Sequence, residues 1–315
     1  MTENLTENLT ENSTDTRTGS MTDHPETLTL ESLLRSATDL LRAADVDSPR
    51  ADAETLAAHV LGASRGQVAA WAVAGRRIDP VQSVDLRRLA ISRSTRTPLQ
   101  YLTGTTTFRT VDLAVGHGVF LPRPETELVA GAAIEAARAV DRSAGGPVGR
   151  PLVVDLCTGS GAIAASVARE VPGATVHAVE ADPEAAWWAA ANLDPLGVAL
   201  HVADAAAALP QLDGSADVVV SNPPYVPAQA IPRDPEVRLF DPALALYGGE
   251  DGLDVVRVLS TRALRLLRSG GTLVIEHGEL QGAPIRELLA ADGWRAAATH
   301  RDLTLRDRAT TAVRP

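Results

Sequence analysis

Asp155-Leu156-Cys157-Thr158-Gly159-Ser160-Gly161 closes an apolar run at residues 152–156 and leads into an Ala-rich stretch with helical spacing. It reads as the turn from a first strand into a first helix, where glycines let the backbone approach a ligand and leave the helix N-terminus facing it. Downstream the pattern alternates. Strand-like runs at 175–180, 199–203, 217–221 and 271–276 are separated by Ala/Leu-rich helical segments, and two more β-like runs lie near 294–300 and 309–313. Such alternation predicts an α/β fold, a parallel sheet covered by helices on both faces, ending in an antiparallel hairpin.

Two acids complete the glycine loop. Glu180 ends the second strand, where a carboxylate accepts both hydroxyls of a ribose. Asp204, followed by Ala205, ends the third, where it accepts from an exocyclic adenine amine or frames the ring. Together these strand ends describe an adenosine pocket at the carboxyl edge of the sheet. A dinucleotide fingerprint wants a third glycine where this chain has Ala164, a replacement it sometimes tolerates. Asp155 argues more strongly: an acid there suits the ammonium or sulfonium end of S-adenosylmethionine better than a pyrophosphate.

Asn222-Pro223-Pro224-Tyr225 follows the run at 217–221. The prolines fix the backbone and leave carbonyls with no competing N–H groups; Asn222 offers an amide and Tyr225 a flat face. Beside a methyl donor, such a corner points to methylation of a planar carboxamide or amino nitrogen. The same tetrapeptide is also an ordinary turn signal, so its companions decide its meaning.

The chain has 315 residues, 45% hydrophobic, enough for one large domain and a small one. A lone Cys157 excludes an internal disulfide, and seven scattered histidines give no metal-ligand spacing, so no metal is expected. A net charge of −11 without Lys/Arg runs disfavours a nucleic-acid partner. Nothing resembles a membrane span or a secretory signal, which predicts a cytoplasmic protein, expected to be a monomer.

Residues 1–25 repeat Thr-Glu-Asn and are expected to be disordered, with Met21 an alternative start. Residues 26–100 read as a helical bundle, with starts at Thr29, Ser48-Pro49, Ser64 with Gln67, and Asp79-Pro80, and stops at Gly62 and Gly75. Residues 101–121 read as a β-hairpin connector, with strands at 108–115 and 118–121 turning at Gly116-His117-Gly118. Residues 122–315 form the last domain, with a flexible loop over 139–151 and a long segment, 226–249, shaping a substrate entrance.

Six stretches taken in order carry a resemblance: Pro98-Leu99-Gln100-Tyr101-Leu102-Thr103-Gly104; Pro122-Arg123-Pro124-Glu125-Thr126-Glu127; the Asp155 to Gly161 loop; Asn222 to Tyr225; Ile275-Glu276-His277-Gly278; and Arg301-Asp302-Leu303 with Arg306-Asp307-Arg308. From about residue 28 onward the chain resembles the PrmC/HemK peptide chain release factor glutamine methyltransferases. The resemblance implies a class I S-adenosylmethionine-dependent methyltransferase, Rossmann-like with a seven-stranded sheet, behind an N-terminal helical bundle that recognises substrate. Its members methylate the glutamine side chain in the Gly-Gly-Gln motif of peptide chain release factors.

By position, the resemblance assigns Cys157, Thr158, Gly159, Ser160 and Gly161 to the donor loop, Glu180 to the ribose, and Asp204 and Ala205 to the adenine side. Asn222, Pro223, Pro224 and Tyr225 hold the glutamine, and Asn222 also borders the donor. Cys157 departs from the family's frequent glycine: it needs a negative φ, or a thiol tolerated close to the donor. Glu180 replaces a more frequent Asp, and Ala205 an aromatic found in some relatives. Three rival readings share these motifs: a ribosomal-protein glutamine methyltransferase, a nucleic-acid amino-methyltransferase gripping a flipped adenine or guanine, and a non-catalytic adenosine-binding protein.

Overall fold

The computed structural model describes residues 28–140 and 150–315. The expected N-terminal disorder, the Met21 start and most of the expected loop at 139–151 lie outside those residues.

Five helices come first: α1 Leu30–Ala43, α2 Pro49–Leu61, α3 Arg65–Val73, α4 Pro80–Ser94 and α5 Leu99–Thr103. Their ends follow local chemistry. The Thr29 side chain accepts from the Ser32 N–H, Ser64 and Gln67 form a complete capping box, Asp79 caps α4, and Gly62 ends α2 in the left-handed region. Leu30, Leu34, Leu41 and Leu56 are wholly buried between them, each burial stabilising by roughly 1.5–3 kcal/mol.

A hairpin follows, β1 Thr105–Phe108 with β2 Val111–Ala114, antiparallel in the register Phe108↔Val111. Its turn is Arg109-Thr110, not the expected Gly116-His117-Gly118, and residues 118–121 form no strand. The reason is Arg109. At φ 51° it leaves the strand, and its guanidinium grips Glu170 through two bonds of 2.7 and 2.9 Å while also donating to the Glu127 carbonyl. A tertiary ion pair thus sets a turn that local composition places elsewhere.

The remaining elements are α6 Thr126–Arg138, β3 Leu152–Leu156, α7 Ala162–Glu170, β4 Thr175–Glu180, α8 Pro183–Leu193, β5 Ala199–Val202, β6 Ala216–Ser221, α9 Pro235–Phe240, α10 Ala243–Leu246, α11 Asp254–Leu266, β7 Leu267–Glu276, α12 Gly282–Ala291, β8 Arg295–Arg301 and β9 Asp307–Val313. Seven strands form one sheet in the order β5-β4-β3-β6-β7-β9-β8, parallel from β5 to β7 and closed by antiparallel β9 and β8. Helices α6, α7 and α8 cover one face; α11 and α12 cover the other. This is the expected class I methyltransferase architecture. β7 starts earlier than the sequence suggests, because Leu267 pairs with Ala216 before a register shift.

The strand order decides where a ligand sits. The chain runs from β3 outward to β4 and β5, then returns to the other side of β3 as β6. The carboxyl ends of β3 and β6 therefore part at a topological switch point, the usual crevice of an open α/β sheet.

Candidate active site

The loop after β3 holds three left-handed residues within five: Cys157 (φ 59°), Gly159 (φ 56°) and Gly161 (φ 84°). Cys157 thus fails the negative-φ condition and takes the alternative: its residue lines the cavity, and burial pushes its thiol up to about 12, so it stays protonated. Two glycines serve different ends. A Cβ on Gly161 would meet Leu193 at 2.8 Å, so that glycine allows helix α7 to pack on α8; a Cβ on Gly159 would meet nothing within 4 Å.

Asp155 does not stand where a ligand's ammonium is expected. It is fully buried under the loop and forms no part of the cavity wall. Its Oδ2 accepts from the Thr158 hydroxyl at 2.6 Å and from the Ala164 N–H at 3.1 Å, so it fastens the loop to the start of α7. Oδ1 has no partner. Burial outweighs both hydrogen bonds and raises the carboxyl to about 7.

Glu180 and Asp204 do face the cavity, as does Ala205. One Glu180 oxygen accepts from Gly159 N–H at 2.8 Å, and the other from Ala181 and Asp182 N–H at 2.9 and 3.0 Å. These amides fix the carboxylate and take three of its roughly four acceptor sites, leaving about one, on the oxygen that Gly159 meets. Asp204 Oδ1 accepts from Ala206 N–H at 2.8 Å, bracing the turn after β5.

On the far side of the switch point, the Ser221 hydroxyl ties the end of β6 to the Leu156 carbonyl at 2.6 Å. Asn222, Pro224 and Tyr225 then line the same cavity, and Pro223 and Gly161 do not. Asn222 Nδ2 donates to Thr126 Oγ1 at 3.3 Å, and the Tyr225 hydroxyl donates to Glu276 Oε1 at 3.4 Å. Burial first, then the Glu276 charge, keep the Tyr225 phenol protonated. The cavity measures about 630 Å³ and is mostly apolar, within the range of roughly 300–1,000 Å³ found for small-molecule sites. Its outer wall is the 226–249 segment with α9 and α10, where exposed Ile231 and Leu244 border the opening.

Residues 32–104 match a family model described as the PrmC N-terminal domain, and residues 148–247 one described as the methyltransferase small domain. Over 280 residues the chain is 47% identical to the release factor glutamine methyltransferase of Streptomyces coelicolor, covering 88% of this chain and 95% of that protein. The chain belongs to the release factor glutamine methyltransferase family. The family's protein in Bifidobacterium longum is 42% identical over 299 residues, 91% of this chain and 100% of that one. A relative with another named substrate, the 4-amino-L-phenylalanine/4-methylamino-L-phenylalanine methyltransferase of Streptomyces pristinaespiralis, is 38% identical over 288 residues, covering 91% and 95%.

Membership makes this chain a methyltransferase, and three of the six quoted stretches, 122–127, 155–161 and 222–225, contribute residues to one cavity. Arg123 and Thr126 line it, and Arg123 pairs with Asp241 at 2.6 Å. Burial, opposed by Arg123, holds the Asp241 carboxyl up at about 6. His277 bonds Thr310 Oγ1 at 2.9 Å, and Arg308 pairs with Asp302 at 3.3 Å. Thr126 and Glu276 lie in quoted motifs, which is their only signal in the sequence. Phe120 and Ile231 carry none, since an apolar residue in a loop has no pattern of its own, and Leu244 lies in α10, too short to show a period. Among the described residues no group of His, Cys, Asp or Glu is arranged to hold a metal ion, and no helix is long and apolar enough to cross a membrane.

Proposed function

We infer that this chain transfers a methyl group from S-adenosylmethionine to the side-chain amide nitrogen of the glutamine in the Gly-Gly-Gln motif of peptide chain release factors. One observation carries the reading: the glycine loop, Glu180 and Asp204 open on the same cavity as Asn222, Pro224 and Tyr225. The residues fit the donor. Gly159 leaves open space against the loop, and Glu180, held by three amides, keeps about one acceptor site for a ribose hydroxyl. Asp204 and Ala205 form the adenine end, while Thr158 and Ser160 support the loop. When bound, the donor supplies an electrophilic methyl on sulfur.

An amide nitrogen is a poor nucleophile because its lone pair is delocalised into the carbonyl. Asn222 Oδ1 accepts one N–H of the substrate amide and Tyr225 packs on its plane, while Pro223, which does not line the cavity, fixes the backbone between them. This holds the nitrogen in line with the methyl. No strong base is needed, since the proton becomes acidic once the nitrogen is alkylated. Positioning and fixed dipoles supply the acceleration. The reading includes a monomer acting in the cytoplasm, the helical bundle offering the release factor a second surface, and no direct contact with nucleic acid.

Mass spectrometry of a release factor incubated with enzyme and labelled donor tests this, the expected result being one methyl on the Gly-Gly-Gln glutamine. Asn222→Ala should lower turnover by about two to three orders of magnitude. The aromatic-amine substrate named for the 38% identical relative gives a second reading. Methyl transfer to 4-amino-L-phenylalanine and none to the release factor would favour it.

A further inference from the structure

Glu276 ends β7 directly beneath the Asn222 to Tyr225 corner, is 1% exposed, and does not line the cavity. It meets one end of that corner, Tyr225, directly and the other, Asn222, through Thr126. Its Oε1 accepts from the Tyr225 hydroxyl at 3.4 Å, and the Thr126 hydroxyl is the neighbour that most favours its charged form. Thr126 Oγ1 in turn accepts from Asn222 Nδ2 at 3.3 Å. Oε2 is buried without a hydrogen-bond partner. A buried carboxyl with an idle oxygen is costly, and nothing in the methyl transfer described above uses it.

Hydrogen-bond direction gives it a use. An ionised carboxylate only accepts. The Thr126 proton then turns toward Glu276, so the Thr126 oxygen is left to accept, and the Asn222 group facing it must be the NH2. Asn222 Oδ1 is thereby turned to the cavity, as an acceptor for a substrate N–H. A protonated Glu276 reverses the chain. It donates to Thr126, Thr126 donates to Asn222 Oδ1, and the amide flips to present its NH2 to the substrate, donor against donor.

We propose that Glu276 is a positioning residue for the reaction, its buried carboxylate acting through Thr126 to set which end of the Asn222 amide meets the substrate nitrogen, and through Tyr225 to hold the opposite end of the corner. The proposal rests on the reading that Asn222 accepts from the reacting amide. The groups facing Glu276 are Arg308 from β9, Thr126 from α6, Glu125 just before that helix, and Tyr225; the adjacent His277 is turned to Thr310 and Gly278. Burial raises Glu276 to about 7, while Thr126, Arg308 and Tyr225 pull it down and Glu125 pushes it up. The carboxylate form therefore falls away as pH drops through about 7.

The test is turnover of a release factor by the full chain, from about pH 6 to about pH 8.5, for wild type, Glu276→Gln, Thr126→Val, Thr126→Ser and the Glu276→Gln/Thr126→Val double variant. Glu276→Gln and Thr126→Val should lower kcat about 10- to 100-fold with KM for the release factor changed by no more than about threefold. Thr126→Ser, which keeps the hydroxyl, should stay close to wild type, and the double variant should be no slower than the slower single. Wild-type kcat should decline below about pH 7, a decline absent from Glu276→Gln.

Glu276→Gln with wild-type kcat, an acidic decline that persists in it, or single losses that multiply in the double variant would each overturn the proposal. Should Glu276→Gln not fold, Thr126→Val and Thr126→Ser decide alone, equal activity overturning it. A wild type that methylates 4-amino-L-phenylalanine and not the release factor sinks the glutamine reading instead. The same variant ratios, measured on that amine, then still decide the role of Glu276.

Discussion

The surroundings of Asp155 would only half accommodate a charge, with one oxygen fastening the loop and the other without a partner among the described residues. An unfolded Asp titrates near 3.9, whereas burial holds the folded one at about 7. Between those values the folded chain keeps a proton that the unfolded chain has lost. The associated stability is complete below about pH 4 and lost as pH rises through about 7. Asp155→Asn removes this dependence. The melting temperature of the variant minus that of wild type should therefore climb by several degrees from about pH 5 to about pH 8, each pKa unit being worth about 1.4 kcal/mol. A flat difference would place the carboxyl's titration outside that window. Cys157 poses a conformational question instead. Left-handed backbone costs a non-glycine residue roughly 1–2 kcal/mol, and glycine loses about 0.5–1 kcal/mol of chain entropy on folding. Cys157→Gly should match or slightly exceed wild-type stability in a denaturant melt, while β-branched Cys157→Val should fall below it.

At the scale of elements, the loop and α7 behave as one unit with separable duties. Gly161→Ala drives a methyl into Leu193 and should destabilise the fold by about 1–3 kcal/mol. Gly159→Ala meets no protein atom. Its loss should show mainly as weaker donor binding in calorimetry, with a smaller stability change than Gly161→Ala. This unit was legible in sequence because its constraints are local: the strand run, the glycine spacing and the strand-end acids all lie in short windows. The parallel strands and helix caps were legible for the same reason. The Arg109 turn was not, since its cause, Glu170, sits 61 residues away. Asp155 was placed beside a ligand because its position before the loop was readable and the direction of its side chain was not.

For the whole molecule, the bundle and the cavity wall meet at a buried charge cluster. Arg93, almost wholly buried on α4, bonds Asp52 of α2 at 2.8 Å and Glu236 of α9 at 2.7 Å, and Arg96 reaches Glu236 at 3.2 Å. Removing Arg93 leaves two acids short of a partner in a poorly hydrated place. Arg93→Ala should therefore lower unfolding free energy by about 3–5 kcal/mol, with little relief or worsening from salt. Proteolytic cutting within 226–249, faster than in wild type, would show that the wall has loosened with it. Both partners, the bundle and the long segment, are legible in the sequence, but ion pairs between distant elements leave no periodic trace.

The switch point in the sheet divides the cavity along the chain as well as in space. Its donor floor is built from residues 157–206, and its acceptor side chiefly from 222–258, with Arg123 and Thr126 beside it and the wall that Arg93 anchors. Changes of substrate can therefore accumulate by drift in the second stretch and in the bundle while the first is inherited intact. Lineages descending from one such ancestor can part in what they modify long before they part in how they hold the donor.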